Sequence, residues 1–461
     1  MASLMDRIAP SIERALTWFR LRVDRSRLPS WAADFVGWPR GVGVSLALLL
    51  LATGLGMGLH LLLSRTLGVG EYGIYAYALS WLNLLVVVGR AGQDASLTRF
   101  VSVYAATGDW PHLRGLLTHS AALAFGASLV VALLASFVVW MFRGTIGAGQ
   151  SITFWWMLAT LPIVALLGCK QAALRSLKRI VAASLPESIV RQLLLGCLVA
   201  TLAWPRSGML PTVGATQVMA CSLLATLFAL ALTATYLRRS LPPQAHTVVA
   251  RFDRPLWNRA SIPLLCISIL NLLLGQMDVV LLGLLKDLES AGIYALASRI
   301  ASLATFGLLA ANMLIASTIA ELHATGDRDA LQRFLRRSAR GVCCFLLASS
   351  LALAAIGRQV LWLFGGEFTG GYVPLLVLLA GHAANSLGGS VGFLLTMTGQ
   401  ERAAASILTL SVLVGLVLQG TWIPRFGMTG AAMATAVTTA IWNGAMVAVA
   451  WRRLRINPTV F

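Results

Sequence analysis

Glu71-Tyr-Gly-Ile-Tyr-Ala-Tyr-Ala78 recurs as Ser290-Ala-Gly-Ile-Tyr-Ala-Leu-Ala297, and Ala106-Thr-Gly-Asp109 returns as Ala324-Thr-Gly-Asp327. The first pair is offset by 219 positions and the second by 218, so one register holds across a helix and the loop after it. One such match is within reach of chance; two in the same register mark an internal duplication, and a duplication constrains architecture more than any single motif does.

What is duplicated is apolar. The chain has 461 residues, 58% of them hydrophobic and 11% charged, with a mean hydropathy of +0.79, more apolar surface than a water-soluble core could hide. Runs of roughly 20 apolar residues, enough to cross a hydrocarbon core, recur between short polar joints. The first half predicts crossings at 41–63, 73–97, 115–141, 151–169, 184–203 and 212–237. The second predicts them at 257–285, 290–316, 338–364, 372–397, 403–423 and 428–451.

The expected fold is therefore an all-α membrane protein of about twelve helices in two six-helix repeats. Six crossings return the chain to its starting side, so the halves face the same way, as in transporters that bind substrate in a central cavity between parallel repeats. The expected organisation is a basic amphipathic segment at 1–40, bundles at 41–237 and 257–451, a linker at 238–256 and a tail at 452–461. Arg238, Arg239, Pro242, Pro243 and Pro255 mark the linker.

Lys and Arg concentrate on the cytoplasmic side of membrane proteins. With the amino terminus inside, 29 of the 36 Lys and Arg fall on that side. The outer joints hold one each, at Arg65, Arg143, Arg206, Lys286, Arg358 and Arg425, and Arg299 is left inside a helix. Both termini are thus expected in the cytoplasm. The net charge of +19 reads as a topology signal rather than a nucleic-acid face.

Residues 1–40 are too basic and too long for a signal peptide, and no small-residue cleavage pattern follows Val42–Leu63. With Leu16, Trp18, Phe19 and Trp31 among arginines, the segment resembles an interfacial helix on an anionic leaflet; a disordered tail is the other reading. Six cysteines lie in or beside apolar runs, with no CxxC and no His at ligand spacing, so they read as packing residues, not as metal ligands or disulfides. No metal site, catalytic cluster or cofactor motif is expected. Asp327-Arg-Asp329 invites a glycosyltransferase reading, but the first copy has Pro111 at the second acid's place, and both copies fit an aspartate capping the next helix.

The stretches Ser64-Arg-Thr-Leu-Gly-Val-Gly-Glu-Tyr-Gly-Ile-Tyr75 and Gly92-Gln-Asp-Ala-Ser-Leu-Thr-Arg-Phe100 resemble the first two helices of Wzx-type polysaccharide and O-antigen flippases. These form the polysaccharide transporter branch of the multidrug, oligosaccharidyl-lipid and polysaccharide exporter superfamily. Gln276-Met-Asp-Val-Val-Leu-Leu-Gly283, Leu363-Phe-Gly-Gly-Glu-Phe368 and Leu395-Thr-Met-Thr-Gly-Gln400 are similar to that family's pattern in the second half, so the resemblance spans about residues 41–450. It implies transfer of a polyprenyl-diphosphate-linked oligosaccharide across a bacterial inner membrane, for exopolysaccharide or O-antigen assembly. The implied partners are that anionic lipid-linked substrate, membrane lipid and other polysaccharide assembly proteins, with no nucleic acid. A drug or cation antiporter of the same superfamily and a membrane-bound glycan-modifying enzyme are the competing readings.

A charge at the centre of a crossing costs about 2.5–3.5 kcal/mol on insertion scales, so one kept there faces a cavity or a partner. Arg90 and Asp94 sit four apart, on one helix face, beside Gln93 and Arg99; snorkelling to the interface is the alternative for the arginines. Asn271, Gln276 and Asp278 fall in the seventh crossing, and Arg299 and Asn312 in the eighth, with Asn312 at the repeat position of Gln93. Arg299 is about nine residues, roughly 13 Å, from the outer end, which is deep for snorkelling. It is read either as lining a cavity or as salt-bridged to Asp278. Basic side chains with several donors are what an anionic diphosphate headgroup needs along a wet path. Arg191 with Gln192, and His382 with Asn385, are weaker candidates.

Overall fold

The computed structural model describes residues 40–144, 147–204, 213–308, 328–389, 391–398, 400–454 and 459. Most of the expected amphipathic segment and of the tail lies outside the described residues, as do Asn312 and the 324–327 copy of the repeated loop.

The described residues are all-α. Eight helices are long and apolar enough to cross a membrane, and two of these are folded pairs. Helix α1 (Arg40–Gly89) has 50 residues, about 75 Å if straight, more than twice a hydrocarbon core. It turns back at Gly68, whose φ of 72° and ψ of 177° suit a residue without Cβ. The Tyr72 hydroxyl consequently lies 3.1 Å from His60 Nδ1, a pair that a straight helix would hold roughly 18 Å apart.

Helices α2 (Gln93–Thr107), α3 (Trp110–Met141), α4 (Ala148–Ser176), α5 (Ile180–Leu185), α6 (Gln192–Ala203) and α7 (Ala215–Ser240) complete the first half. A short α8 (Pro243–Thr247) leads into α9 (Arg254–Leu285), α10 (Leu288–Ala304), α11 (Arg328–Phe364), α12 (Tyr372–Leu387) and α13 (Val391–Met397). The last helix, α14 (Glu401–Leu454), doubles back at Gly427, where φ is 56°. Counting α1 and α14 as two crossings each, and the shorter α10 and α12–α13 as one each, gives the expected twelve.

Two local departures from the expected helices matter. The run predicted at 73–97 is broken at Arg90–Gly92, with Ala91 at φ 50° and Gly92 at φ 71°. A Cβ on Gly92 would sit 2.5 Å from the Ser261 carbonyl oxygen, so close packing on α9 fixes glycine there. The run predicted at 184–203 begins instead at Ile180, and Pro186–Arg191 forms a π turn between α5 and α6. Proline lacks the N–H that an α-helix would use, and the ladder loosens at that point.

Buried side chains define a side of closure. At the sparsely charged end one core joins both halves, including Leu63, Tyr72 and Leu161 of the first with Tyr294, Leu361 and Phe368 of the second. At the basic end there are two separate cores, one in which Trp257 at the start of α9 joins Leu113 and Cys169 of the first half, and the other around Leu335, Leu394 and Met446 of the second. The halves share one core at the first end; at the second, the start of α9 packs on the first half while the rest of the second half has its own core.

The repeat itself makes the closed seam. Gly73 and Gly292 occupy equivalent positions and touch: a Cβ on Gly292 would lie 2.6 Å from Gly73 Cα, and one on Gly73 would collide with the Leu288 carbonyl. Tyr72 packs edge-on against Phe368 at 5.4 Å, and Arg65 Nε donates to the Leu363 carbonyl at 2.6 Å. Gly54 and Gly58, which have the GxxxG spacing of close helix packing, take no part in this seam among the described residues, where a Cβ at either would meet no atom within 4 Å. Gly388, by contrast, lies tight against Asn443.

Candidate functional site

Arg191 ends the π turn, eleven residues in from Ile180, and Arg299 is eleven residues in from Leu288 on a helix running the other way. Each is thus roughly 16 Å from its own end, near the middle of the bilayer. They converge. The charges of Arg299 and Arg191 both bear on His60 of α1, and both bear on Tyr75. Arg299 also bears on Tyr72, which is hydrogen-bonded to His60.

Like charges gathered at mid-depth need a counter-charge. Among the described residues, no carboxylate lies within ion-pair distance of either arginine. Arg191 Nε is buried without a hydrogen-bond partner, and so is Gln192 Oε1 beside it; the Gln192 amide lies against Gly56 of α1. Buried orphan donors are uncommon and costly. Two guanidiniums with no carboxylate partner among the described residues suit a ligand that carries several anionic oxygens.

Asp278 is not the partner of Arg299. It is buried, accepting from the Tyr294 hydroxyl at 2.8 Å and from its neighbour's amide, Val279 N, at 2.8 Å, with Thr435 Oγ1 at 3.5 Å. This carboxylate ties α9, α10 and α14 together. Asp278→Leu orphans two hydroxyls and is expected to lower stability by about 1–3 kcal/mol, whereas Asp278→Asn, which keeps an acceptor oxygen, costs less. Thermal unfolding of the purified protein in detergent checks both.

The remaining candidates are spread out. Gln93 is fully buried, donating to Ser261 Oγ at 3.2 Å and accepting from Ser120 Oγ at 2.9 Å, so its amide joins α2, α3 and α9. Arg90 is 3.9 Å from Asp94 across the helix break, and its guanidinium fills the space over Gly168, where a Cβ would strike it. Arg99 is exposed beside Phe100. Asn271 is exposed and bonded to its own helix at Ile267 O, 2.9 Å away, and Gln276 is half-buried. Asn312 lies outside the described residues. Asp109 caps α3, accepting from His112 N at 3.2 Å, as its sequence position suggests.

His60, Tyr72 and Tyr75 were not singled out from sequence as site residues. His60 hides in an apolar run, and its only signal is that it is a lone titratable group deep in a crossing. The two tyrosines show only as part of the repeated motif. Arg191 fails to stand out because a helix starting at 184 places it closer to the interface than the true start does.

The same plan occurs in solved transporters. An inward-facing multidrug resistance MATE family transporter of the MOP superfamily matches with a TM-score of 0.69 at 14% identity, over 88% of this chain and 94% of that one. The lipid II flippase MurJ, in an inward closed conformation, matches with 0.62 at 12% identity, over 88% and 87%. A MOP superfamily transporter from Pyrococcus furiosus, described as having a binding pocket of reverse polarity, matches with 0.60 at 15% identity, over 90% and 98%. The protein is therefore a multi-pass membrane protein with the fold of MOP-superfamily transporters.

The sequence narrows this further. Residues 39–319, more than half of the chain, match the family described as polysaccharide biosynthesis protein, and the chain belongs to that family. It is also 23% identical over 166 residues to a probable low-salt glycan biosynthesis flippase, Agl15, of Haloferax volcanii. That match spans 36% of this chain and 35% of the relative's length.

Proposed function

We propose that this protein flips a polyprenyl-diphosphate-linked oligosaccharide across the inner membrane for cell-surface polysaccharide assembly, such as exopolysaccharide or O-antigen. The observation that carries the reading is that Arg191 and Arg299, without a carboxylate partner among the described residues, are both within electrostatic reach of His60 and Tyr75. In this reading the basic end faces the cytoplasm, with both termini and the linker at 238–256, and the diphosphate enters between the halves while the polyprenyl tail stays in lipid. The guanidiniums then replace the water lost by the phosphate oxygens. The closed seam at Gly73 and Gly292 opens as the basic end closes, which is alternating access of two repeats about a fixed site. The family name and the glycan-related relative agree with this substrate class.

A drug or cation antiporter is the second reading, favoured by the MATE-type fold. Two unpaired arginines disfavour an organic cation at that site. Reconstitution into proteoliposomes separates the two. The inner-leaflet pool of a fluorescent lipid-linked oligosaccharide is expected to become accessible to external, membrane-impermeant periodate only when the protein is present. Gradient-driven uptake of a cationic dye, with no movement of the lipid-linked sugar, would overturn the proposal. Terminal epitope tags are expected on the same side as the linker.

A further inference from the structure

A basic cavity lies away from the central arginines, at the basic end of the first half. Its volume is about 170 Å³, and Arg114 of α3, Lys170 of α4, Arg238 at the end of α7 and His246 of α8 line it. Its inner wall is apolar, with Leu113, Leu117 and Leu237 among the lining residues.

Three features of this cavity point to one kind of occupant. First, it is positively charged without compensation: the charge of Arg238 bears on Lys170, and among the described residues no carboxylate lies within ion-pair distance of either. Secondly, it pairs that charge with aliphatic walls where the membrane-spanning helices end. A phosphate on a glycerol carrying acyl chains has the same division, anionic at one end and apolar at the other. Thirdly, the linker beyond it, past α8, exposes apolar side chains next to cations: Val249 and Phe252 are 85% and 48% exposed, flanking Arg251. Such a strip belongs at a headgroup layer.

We propose that this cavity binds the headgroup of an anionic glycerophospholipid from the leaflet at the basic end, with Lys170 and Arg238 holding the phosphate and the leucines receiving the roots of the acyl chains. The site has a built-in connection to the linker between the halves. Arg114 donates to the His246 and Val248 carbonyls at 2.6 and 2.7 Å, and His246 Nε2 lies 3.1 Å from the Arg238 carbonyl oxygen. The cavity therefore sits where α8 is fastened to the ends of α3 and α7. The assignment requires only that this end meet an anionic leaflet, so it stands independently of which cargo the central arginines carry.

The test uses the full chain in detergent and reads thermal unfolding as short-chain phosphatidylglycerol is added, with short-chain phosphatidylcholine and inorganic phosphate as separate arms. A ligand that binds only the folded state raises the midpoint in proportion to its occupancy. Phosphatidylglycerol is expected to raise it, and the other two are not. Lys170→Gln and Arg238→Gln are each expected to weaken the apparent affinity roughly fivefold, the effect of one interfacial cation. Lys170→Arg is expected to retain it. Arg239→Gln removes the same charge from an exposed neighbour that does not line the cavity and is expected to change nothing. An equal response to inorganic phosphate would make this a free-anion site, and an equal loss in Arg239→Gln would reduce the effect to general surface charge; either result overturns the proposal. Both readings are free of transport, so failure here and failure of the flippase assignment are separate outcomes.

Discussion

Arg299→Ala and Arg191→Ala are each expected to slow transbilayer movement of the lipid-linked oligosaccharide by about tenfold to a hundredfold. That range follows from removing one charge-assisted contact to phosphate, worth about 1.5–3 kcal/mol. The two share one ligand and one set of neighbours, so their effects should not simply multiply in the double variant. Lysine in place of either should fall between, because it keeps the charge but loses the fork that holds two oxygens at once.

Stability provides the internal control for this prediction. Arg191 Nε is buried without a hydrogen-bond partner in the absence of cargo. Arg191→Ala removes that cost, so its unfolding midpoint is expected to be unchanged or raised while transport falls. A structural arginine would behave the other way, with activity and stability falling together. If both variants transport at the normal rate, the central site is not where the anion binds.

The outlines of this arrangement were legible in the chain, and its convergence was not. The repeat at 71–78 and 290–297 foretold two like halves, and the structure brings Gly73 against Gly292 in the register that the offset requires. Arg299 stood out because depth in an apolar run is readable from one dimension. Arg191 did not, because its depth depends on where the helix begins, and a boundary read four residues late moves a side chain by roughly 6 Å. Pairings across the fold were out of reach. Asp278 and Arg299 are about 20 residues apart with opposite charges, but the carboxylate turns to Tyr294 and Thr435 instead. Gln93, polar and deep, reads like a cavity residue; only the arrival of Ser120 and Ser261 from two other helices shows it to be a buried joint.

Gly73→Val and Gly292→Val are expected to abolish most transport by a different route, by preventing the seam at the sparsely charged end from closing. The added carbon on Gly73 meets the Leu288 carbonyl, and on Gly292 it lies 2.6 Å from Gly73 Cα. Backbone on both sides cannot rotate away as a side chain can, so α1 and α10 must move apart. Overpacking of this kind costs about 1–3 kcal/mol, which shifts a two-state equilibrium by roughly fivefold to a hundredfold against the closed-seam state. The cost falls on one conformation and spares the interior of each bundle, so the protein should still fold. Cysteines placed at Glu71 and Ser290, in a chain whose six native cysteines are replaced by serine, are expected to cross-link with a short bifunctional reagent in the parent. The same pair should fail to cross-link once Gly73 is valine. Full cross-linking together with full transport in Gly73→Val would show that the two helices yield without separating, and the seam would then not be the element that alternates.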